Sequence, residues 1–456
     1  MEQTKFMAYL KELFEPLCNQ LSLHVGDVIE NLCAELATPP LTSSVRVNTL
    51  KTPIVSEGVE SVKDVLEKYC RERNCSTSIS MSVHPLLPDV LLIEGSGPHS
   101  DLRLYDKEIL VEMTCGQSVL RGADVYGPGI LGAPKDLFIG ESVSVYADSG
   151  NESRKGLVKK YDGPKVYIGN GKACQTRADW FGPSAKSSGL AIRMTDPLYI
   201  SPSLNEMLLN DVAFPQSLPS LVVSHVLKPT ETDRVLDMCA APGGKATHLA
   251  TLMRNKGVII ALDRSAGKMK SLKHNVKRFG LTNVHCFHHD STAACSSKSD
   301  DASSQRNFPG PPPYPPAFFD KVLLDAPCSG LGQRPRFNFS INLTDFTSLP
   351  LYQKKLLAQA VLLLKPGGKL LYSTCSLSPE ENEAQVKWLL STFKEMILIE
   401  QSPVIGYPGL SMFELSREEC LKLQRFGPAA FNKQLSSSPL SLDTIGFFIA
   451  LFEKKN

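Results

Sequence analysis

Val235–His248 reads VLDMCAAPGGKATH, and this stretch decides the fold. A short apolar run ends in Asp237 and gives way at once to a turn of small residues, Ala240, Ala241, Gly243 and Gly244. With little or no side chain, these residues let a ligand approach the backbone, and Pro242 restricts the turn. A helix beginning near Lys245 would aim unpaired N–H groups and a partial positive charge into the same gap, where an anionic group is stabilised. Alone, such a turn is an ordinary strand-to-helix connection. Its surroundings give it meaning.

Downstream, strand-like runs recur at Val258–Asp263, Val284–Asp290, Lys321–Asp325, Lys369–Thr374 and Gly446–Phe452, with helical stretches between most of them. That alternation predicts an α/β domain with a doubly wound, mostly parallel sheet over residues 201–456. The polar, proline-rich segment Ser291–Pro316 predicts a flexible surface loop with no core of its own. Upstream, residues 1–107 read as a helical arm with Phe6, Leu10, Leu13 and Leu17 at helical spacing, broken at Pro39–Pro40. A strand over Ser44–Leu50, a helix around Val62–Tyr69 and a strand over Val83–Glu94 suggest a small α/β region completed by later chain. Between them, residues 108–200 carry short, glycine-punctuated β-runs such as ESVSVYAD and GPKVYIGNG, the pattern of an inserted β-barrel.

At 456 residues the chain is too long for one typical core, and its formal net charge of +2 announces no polyanion partner. A nucleic-acid surface must therefore be a local patch. The amino terminus lacks the apolar core of a signal peptide, and no segment reaches the roughly 20 apolar residues of a membrane span. Twelve cysteines without a CxxC pair indicate neither a metal site nor a disulfide framework. A cytoplasmic, reducing location with no membrane partner is expected.

Acids recur at the predicted strand ends: Asp237, Asp263, Asp290 and Asp325. One Asp after a strand is commonly a helix cap, but four in succession are better explained as the lining of one crevice. Asp263 lies at the separation from the turn at which an acid accepts hydrogen bonds from ribose hydroxyls, so the cofactor contains a nucleoside. The turn lacks the GxGxxG and GxxxxGK[ST] patterns of dinucleotide and triphosphate sites, and S-adenosylmethionine fits better. Cys328 in KVLLDAPCSG and Cys375 in KLLYSTCSLSPEEN each follow an apolar strand. Two thiols and an acid beside a methyl donor suit a cytosine. Its C5 accepts a methyl group only after a thiolate adds to C6, and a base must later remove the C5 proton.

These motifs resemble the Nop/Sun group of RNA cytosine-5 methyltransferases. The matching pieces are RVNTL (Arg46–Leu50), LDMCAAPGGK (Leu236–Lys245), ALD (Ala261–Asp263), DAPCSG (Asp325–Gly330), LLKPGGKLLYSTCS (Leu363–Ser376), PEENE (Pro379–Glu383) and GFFIA (Gly446–Ala450). The inserted β-region is similar to a PUA domain, an arrangement that resembles members acting on the tRNA acceptor stem. The resemblance implies a Rossmann-like catalytic domain with Cys375 as nucleophile and Cys328 as the base for product release. It implies Asp325 and Lys245 at the target base, and Cys239, Ala240, Ala241, Pro242, Gly243, Gly244, Lys245, Asp263, Asp290 and Asp325 around the cofactor. It further implies tRNA as partner through the acceptor stem and CCA end, some messenger RNAs as additional substrates, and a monomer. Ala246 departs from the group's usual Thr.

The candidate RNA-facing residues are Arg121, Tyr126, Arg154, Lys155, Lys159, Lys160 and Asn170, with Lys165 and Tyr167 beside them. Cations there would hold phosphates while a tyrosine stacks on an unpaired base; the plain alternative is a solvated face. Two rival functions stand. A DNA cytosine-5 methyltransferase would attack with Cys328, and an RNA-binding protein without catalysis would use only the barrel.

Overall fold

The computed structural model describes residues 2–52, 55–72, 80–182, 188–201, 204, 209–296, 308–339, 341–428 and 443–456. Two helices open the chain, Glu2–Gln20 and Val25–Leu36. Phe6, Leu10, Phe14 and Leu17 recur at three-to-four spacing, which gives the first helix one apolar stripe. That stripe packs with Ile29 and Leu32 of the second helix against Phe346 and Leu377 of the carboxyl half. β1 (Thr42–Val47), β2 (Ser80–His84) and β3 (Leu87–Glu94) form an antiparallel sheet, with the helix Val55–Glu72 packed on it through Val59, Val62 and Leu66. The single strand expected over Val83–Glu94 is a hairpin. Pro85 and Leu86 turn the chain, and the His84 ring nitrogen Nδ1 accepts the Leu86 amide at 3.1 Å.

β4 (Glu108–Val111), β5 (Val125–Tyr126), β6 (Ile130–Gly132), β7 (Ser142–Asp148), β8 (Lys165–Ala173) and β9 (Leu190–Pro197) form a second sheet. Its order is β5-β9-β8-β7-β4-β6. The edge strands β5 and β6 are separated only by Gly127–Gly129, so the sheet curls back on itself and nearly closes a barrel around Ile109, Val145, Ile168 and Ile192. One part of this region expected as strand is a helix, Met113–Val119. Packing decides it: Val119 enters the barrel core, and Gly116 lets the helix lie so close to β7 that an added Cβ would sit 2.3 Å from that of Ala147. β10 (Ala213–Pro215) then returns to the first sheet and pairs with β1, placing Phe214 opposite Arg46.

The third sheet contains β11 (Arg234–Asp237), β12 (Val258–Asp263), β13 (Val284–His288), β14 (Phe319–Asp325), β15 (Leu364–Thr374), β16 (Met396–Leu398), β17 (Gln424–Phe426) and β18 (Phe447–Lys454). Its order is β13-β12-β11-β14-β15-β18-β16, with β17 also on β18. β11 to β15 run parallel and β18 is antiparallel to β15. The parallel strands read as near-continuous apolar runs because both faces are buried: Leu323 and Leu371 pack with Leu221 and Leu249, while Val322 and Leu370 pack with Leu356 and Leu389. The chain winds outward from β11 to β13 and restarts at β14 on the other side of β11. This reversal opens a crevice beyond the carboxyl ends of β11 and β14.

The segment Ser291–Pro316 corrects its prediction in part. Tyr314 is buried, stacks on Phe318 and bridges to Cys295, so the flanks belong to the core; residues 297–307 lie outside the described residues. No helix among the described residues is long and apolar enough to cross a membrane.

Candidate active site

The turn after β11 is held by its neighbours. The Ala240 amide donates to Leu262 O (2.8 Å), the Ala241 amide to Asp263 Oδ2 (3.1 Å), and Asn275 Nδ2 to Pro242 O (3.0 Å). Gly243 has φ +107°, and a Cβ there would meet Leu272 at 2.9 Å, so this position needs glycine for both reasons. The helix Gly244–Leu252 starts directly behind it, and Cys239 lies in the same turn. Lys245 points back into the crevice: its Nζ lies 2.7 Å from Asp325 Oδ2 and 5.3 Å from the centre of the Phe447 ring.

β14 and β15 are adjacent and parallel, with Asp325 opposite Ser373, so their carboxyl ends release the chain side by side. The turns that follow bring Cys328 Sγ and Cys375 Sγ to 3.3 Å. Asp325 stands next to them, its second oxygen accepting from Ser373 Oγ at 2.7 Å. The two thiols differ electrostatically. The hydrogen bond from Cys328 lowers the Cys375 pKa, against the cost of burial and the nearby Asp325 charge, with lesser help from Gln333 and the Lys245 ammonium. Cys328 is pushed well above the usual thiol range by that same bond, by burial and by the Glu381 carboxylate.

PEENE (Pro379–Glu383) has no role that its sequence alone assigns, and the structure shows what it touches. Glu381 accepts from the Ser329 amide (2.9 Å), Ser329 Oγ (2.6 Å) and Gln353 Nε2 (3.0 Å), which pins the turn carrying Cys328. Asn382 binds Thr374 Oγ1 (2.6 Å) and Ser376 O (2.9 Å), on either side of Cys375. Glu383 forms a buried two-oxygen pair with Arg425 at 2.7 Å, and Arg425 Nη2 holds Leu377 O. Gln333 and Arg336 were also missed. Arg336 bonds Gly330 O at 2.8 Å and sets its guanidinium near both sulfurs.

Each strand-end acid has a distinct setting. Asp263 is buried and accepts the Ala241 and Ser265 amides. Asp290 caps the short helical turn Ser291–Ala293 through Oδ1. Asp237 is 1% exposed, and neither oxygen has a hydrogen-bond partner among the described residues, although the Cys239 amide lies near enough to favour the ionised form. Burial, and secondarily the Asp325 charge, push its pKa up to about 7. An unpartnered buried carboxylate beside an open turn is a strong mark of a ligand's place, one that sequence spacing could not show.

The RNA-facing candidates do not form one free patch. Lys155 pairs with Glu112 (3.1 Å), and Lys160 and Lys165 both pair with Glu108 (3.2 and 2.6 Å), while Arg154 and Lys159 are exposed without an ion pair among the described residues. Tyr126 is exposed. Arg121 reaches out of the barrel unit to Arg334 O (3.3 Å) and, with Gln333, lines a groove of about 570 Å³. Asn170 is corrected: it is 2% exposed, bonded to Ser144, Tyr167 and Arg103 O, and so belongs to the barrel interior.

A doubly wound sheet with a small-residue turn and a thiol pair at its switch point places the chain among α/β methyltransferases. Residues 224–453 match the family model described as 16S rRNA methyltransferase RsmB/F. The chain belongs to this Nop/Sun family of RNA cytosine-5 methyltransferases. It is 41% identical to tRNA (cytosine(72)-C(5))-methyltransferase NSUN6 of Mus musculus, over 98% of this chain and 94% of that protein. The tRNA (cytosine(72)-C(5))-methyltransferase of Pyrococcus horikoshii is 36% identical, over 81% of this chain and 82% of its own length. The crystal structure of NSun6 from Pyrococcus horikoshii with SFG superposes with a TM-score of 0.73 at 31% identity, covering 99% of this chain and 98% of that one.

Proposed function

We propose that this enzyme methylates C5 of a cytosine in the tRNA acceptor stem near the CCA end, with S-adenosylmethionine as donor, Cys375 as nucleophile and Cys328 as base. One observation carries the reading: two sulfurs 3.3 Å apart beside the Lys245–Asp325 pair, at the switch point of the sheet. The tRNA substrate is supported by the names of the full-length relatives.

The crevice fits the cofactor. The unpartnered Asp237 carboxylate offers a place for its ammonium group, and Asp263 has lone pairs left for ribose hydroxyls. Asp290, with Oδ1 used as a cap, would meet the adenine side through its other oxygen. When bound, S-adenosylmethionine supplies an electrophilic methyl group.

The protein's own groups do the rest. The Cys375 thiolate forms a bond to C6 of a cytosine drawn out of its stack, and the C5–C6 π electrons make C5 nucleophilic. Asp325, held by Lys245 and Ser373, faces N3 and the exocyclic amine where charge changes. After C5 is methylated, Cys328 removes the C5 proton, and the electron pair released re-forms the double bond and expels Cys375 from C6.

In this proposal residues 108–200 act as a PUA-like RNA-binding domain, residues 201–456 as the catalytic domain, and residues 1–107 as the arm and small α/β region. The enzyme works as a cytoplasmic monomer whose ten described cysteines are all free thiols, and some messenger RNA stem-loops join tRNA as substrates. The test uses Cys375→Ala and Cys328→Ala proteins with tRNA and methyl donor. Cys375→Ala should form no covalent RNA adduct and Cys328→Ala should trap one. The reverse pattern would favour the rival attack by Cys328. RNA binding by the wild-type protein with no transfer, read by bisulfite sequencing, would leave only a binding protein.

A further inference from the structure

RVNTL lies far from the crevice in sequence, yet its arginine touches the helix that begins at the cofactor turn. Arg46 on β1 is fully buried. Its Nη2 donates to Thr247 Oγ1 at 2.9 Å and its Nη1 to Thr251 Oγ1 at 3.3 Å. The guanidinium lies 5.3 Å from the ring centres of both Phe214 and Phe279. Thr247 Oγ1 in turn donates to Gly243 O at 2.7 Å, with Gly244 O at 3.2 Å. A continuous hydrogen-bonded path therefore runs from the small sheet to the carbonyls of the turn.

A neighbouring contact reinforces it. Asp89 of β3 accepts from Nε2 of His248 (2.9 Å) and of His225 (2.8 Å), so consecutive residues of the turn helix, Thr247 and His248, are each tied to the small sheet. Asp89, His225 and His248 converge closely enough to ligate a metal ion. Both Asp89 oxygens are already taken by the two imidazoles. Phe214, opposite Arg46 in the sheet, makes a second approach: a Cβ added to Gly244 would lie 3.5 Å from its ring. Leucine at position 46 would dock the sheet with no buried charge to compensate. A guanidinium instead fixes direction, because its donors match the two threonine hydroxyls on one helix face.

We propose that Arg46 is a positioning residue for the cofactor turn: through Thr247 it holds the Gly243 and Gly244 carbonyls and so sets the geometry that receives the methionine end of S-adenosylmethionine. This rests on the proposed function of the turn. The positioning step is separable from it, since it operates in the cofactor-free protein.

Three measurements test it on the full chain: hydrogen–deuterium exchange of the Gly243–Ala246 amides without cofactor, calorimetric affinity for S-adenosylmethionine, and affinity for tRNA. Arg46→Met should speed exchange in the turn and weaken S-adenosylmethionine binding at least about tenfold, with tRNA affinity unchanged. Arg46→Lys should fall between, keeping charge but losing the fork. Thr247→Val, which keeps volume and removes the hydroxyl, should match Arg46→Met, and the double variant should be no worse than either alone. Thr247→Val also carries the test if Arg46→Met does not fold. Unchanged exchange and unchanged cofactor affinity in a less stable Arg46→Met protein would overturn the proposal and leave Arg46 a docking contact. Faster exchange in the turn, with a wild-type protein that binds no S-adenosylmethionine, would overturn the reading of the turn and leave the positioning intact.

Discussion

Cys328 and Cys375 hold their sulfurs 3.3 Å apart, yet their surroundings push them in opposite directions. The hydrogen bond that Cys328 gives to Cys375 favours the Cys375 thiolate over burial and the Asp325 charge, and the same bond, with burial and Glu381, holds Cys328 protonated. Attack needs a thiolate at neutral pH, and release needs a strong base that has first shed its own proton. Adduct formation should therefore persist to lower pH than turnover. As pH falls from about 9 to about 7, the covalent RNA–protein species should accumulate while methylated product declines. Denaturing gels and product counts across that range check it, and parallel loss of both would show that the thiols titrate together.

Glu381 makes a second prediction because it touches no substrate in this mechanism. Both its oxygens are used to hold Ser329, one residue after Cys328. Glu381→Gln replaces an acceptor by a donor facing the Ser329 group, and a hydrogen bond to a charged acceptor contributes roughly 1.5–3 kcal/mol. The Cys328 turn should loosen, and kcat should fall roughly tenfold to hundredfold, with KM for the methyl donor unchanged. Single-turnover assays should place the loss in adduct release, the step assigned to Cys328.

These contacts mark what the sequence makes legible. The alternation from Val235 onward gives the sheet, and strand-end position alone brings Asp237, Asp263, Asp325, Cys328 and Cys375 into one crevice, because every parallel strand delivers its last residue to the same edge. Glu381 and Ser329 are 52 residues apart, and Arg46 and Thr247 are 201 apart. Neither pairing has a periodic signature, since each depends on how separate units pack. The same holds for Glu108, whose ion pairs with Lys160 and Lys165 neutralise cations that look free along the chain. Asn170 and Tyr314 look exposed in sequence for the opposite reason: glycine or proline neighbours hide a buried position.

Asp237 supplies a pH prediction. Its folded pKa of about 7 stands above the ordinary carboxylate value of 3.8 because burial disfavours the charge. Between those values the folded protein binds the extra proton, so this group makes stability fall as pH rises from about 4 to about 7 and adds no slope above that. Asp237→Asn should flatten that part of the curve in cofactor-free protein and stabilise it at pH 8, by at most about 4 kcal/mol. It should also weaken S-adenosylmethionine binding if the carboxylate meets the ammonium group. Denaturant titrations at several pH values, paired with calorimetry, separate the two effects, and a slope unchanged by Asp237→Asn would show that another group carries it.

The barrel's cations make the last prediction. Lys165 is tied to Glu108 at 2.6 Å and lies 4.5 Å from the centre of the Tyr146 ring, so its charge is spent inside the barrel unit. Arg154 and Lys159 are exposed and have no ion pair among the described residues, which leaves them available to phosphates. Each phosphate contact releases counterions, so replacing both residues by alanine should weaken tRNA binding and reduce the salt slope by about 2. Lys165→Ala should leave the slope unchanged and lower the barrel's melting temperature instead, because Glu108 loses a partner while Lys160 remains. Filter binding at several salt concentrations distinguishes these outcomes. If Lys165→Ala flattened the slope and the Arg154/Lys159 pair did not, the phosphate track would run along β8 and the exposed cations would be a solvated face.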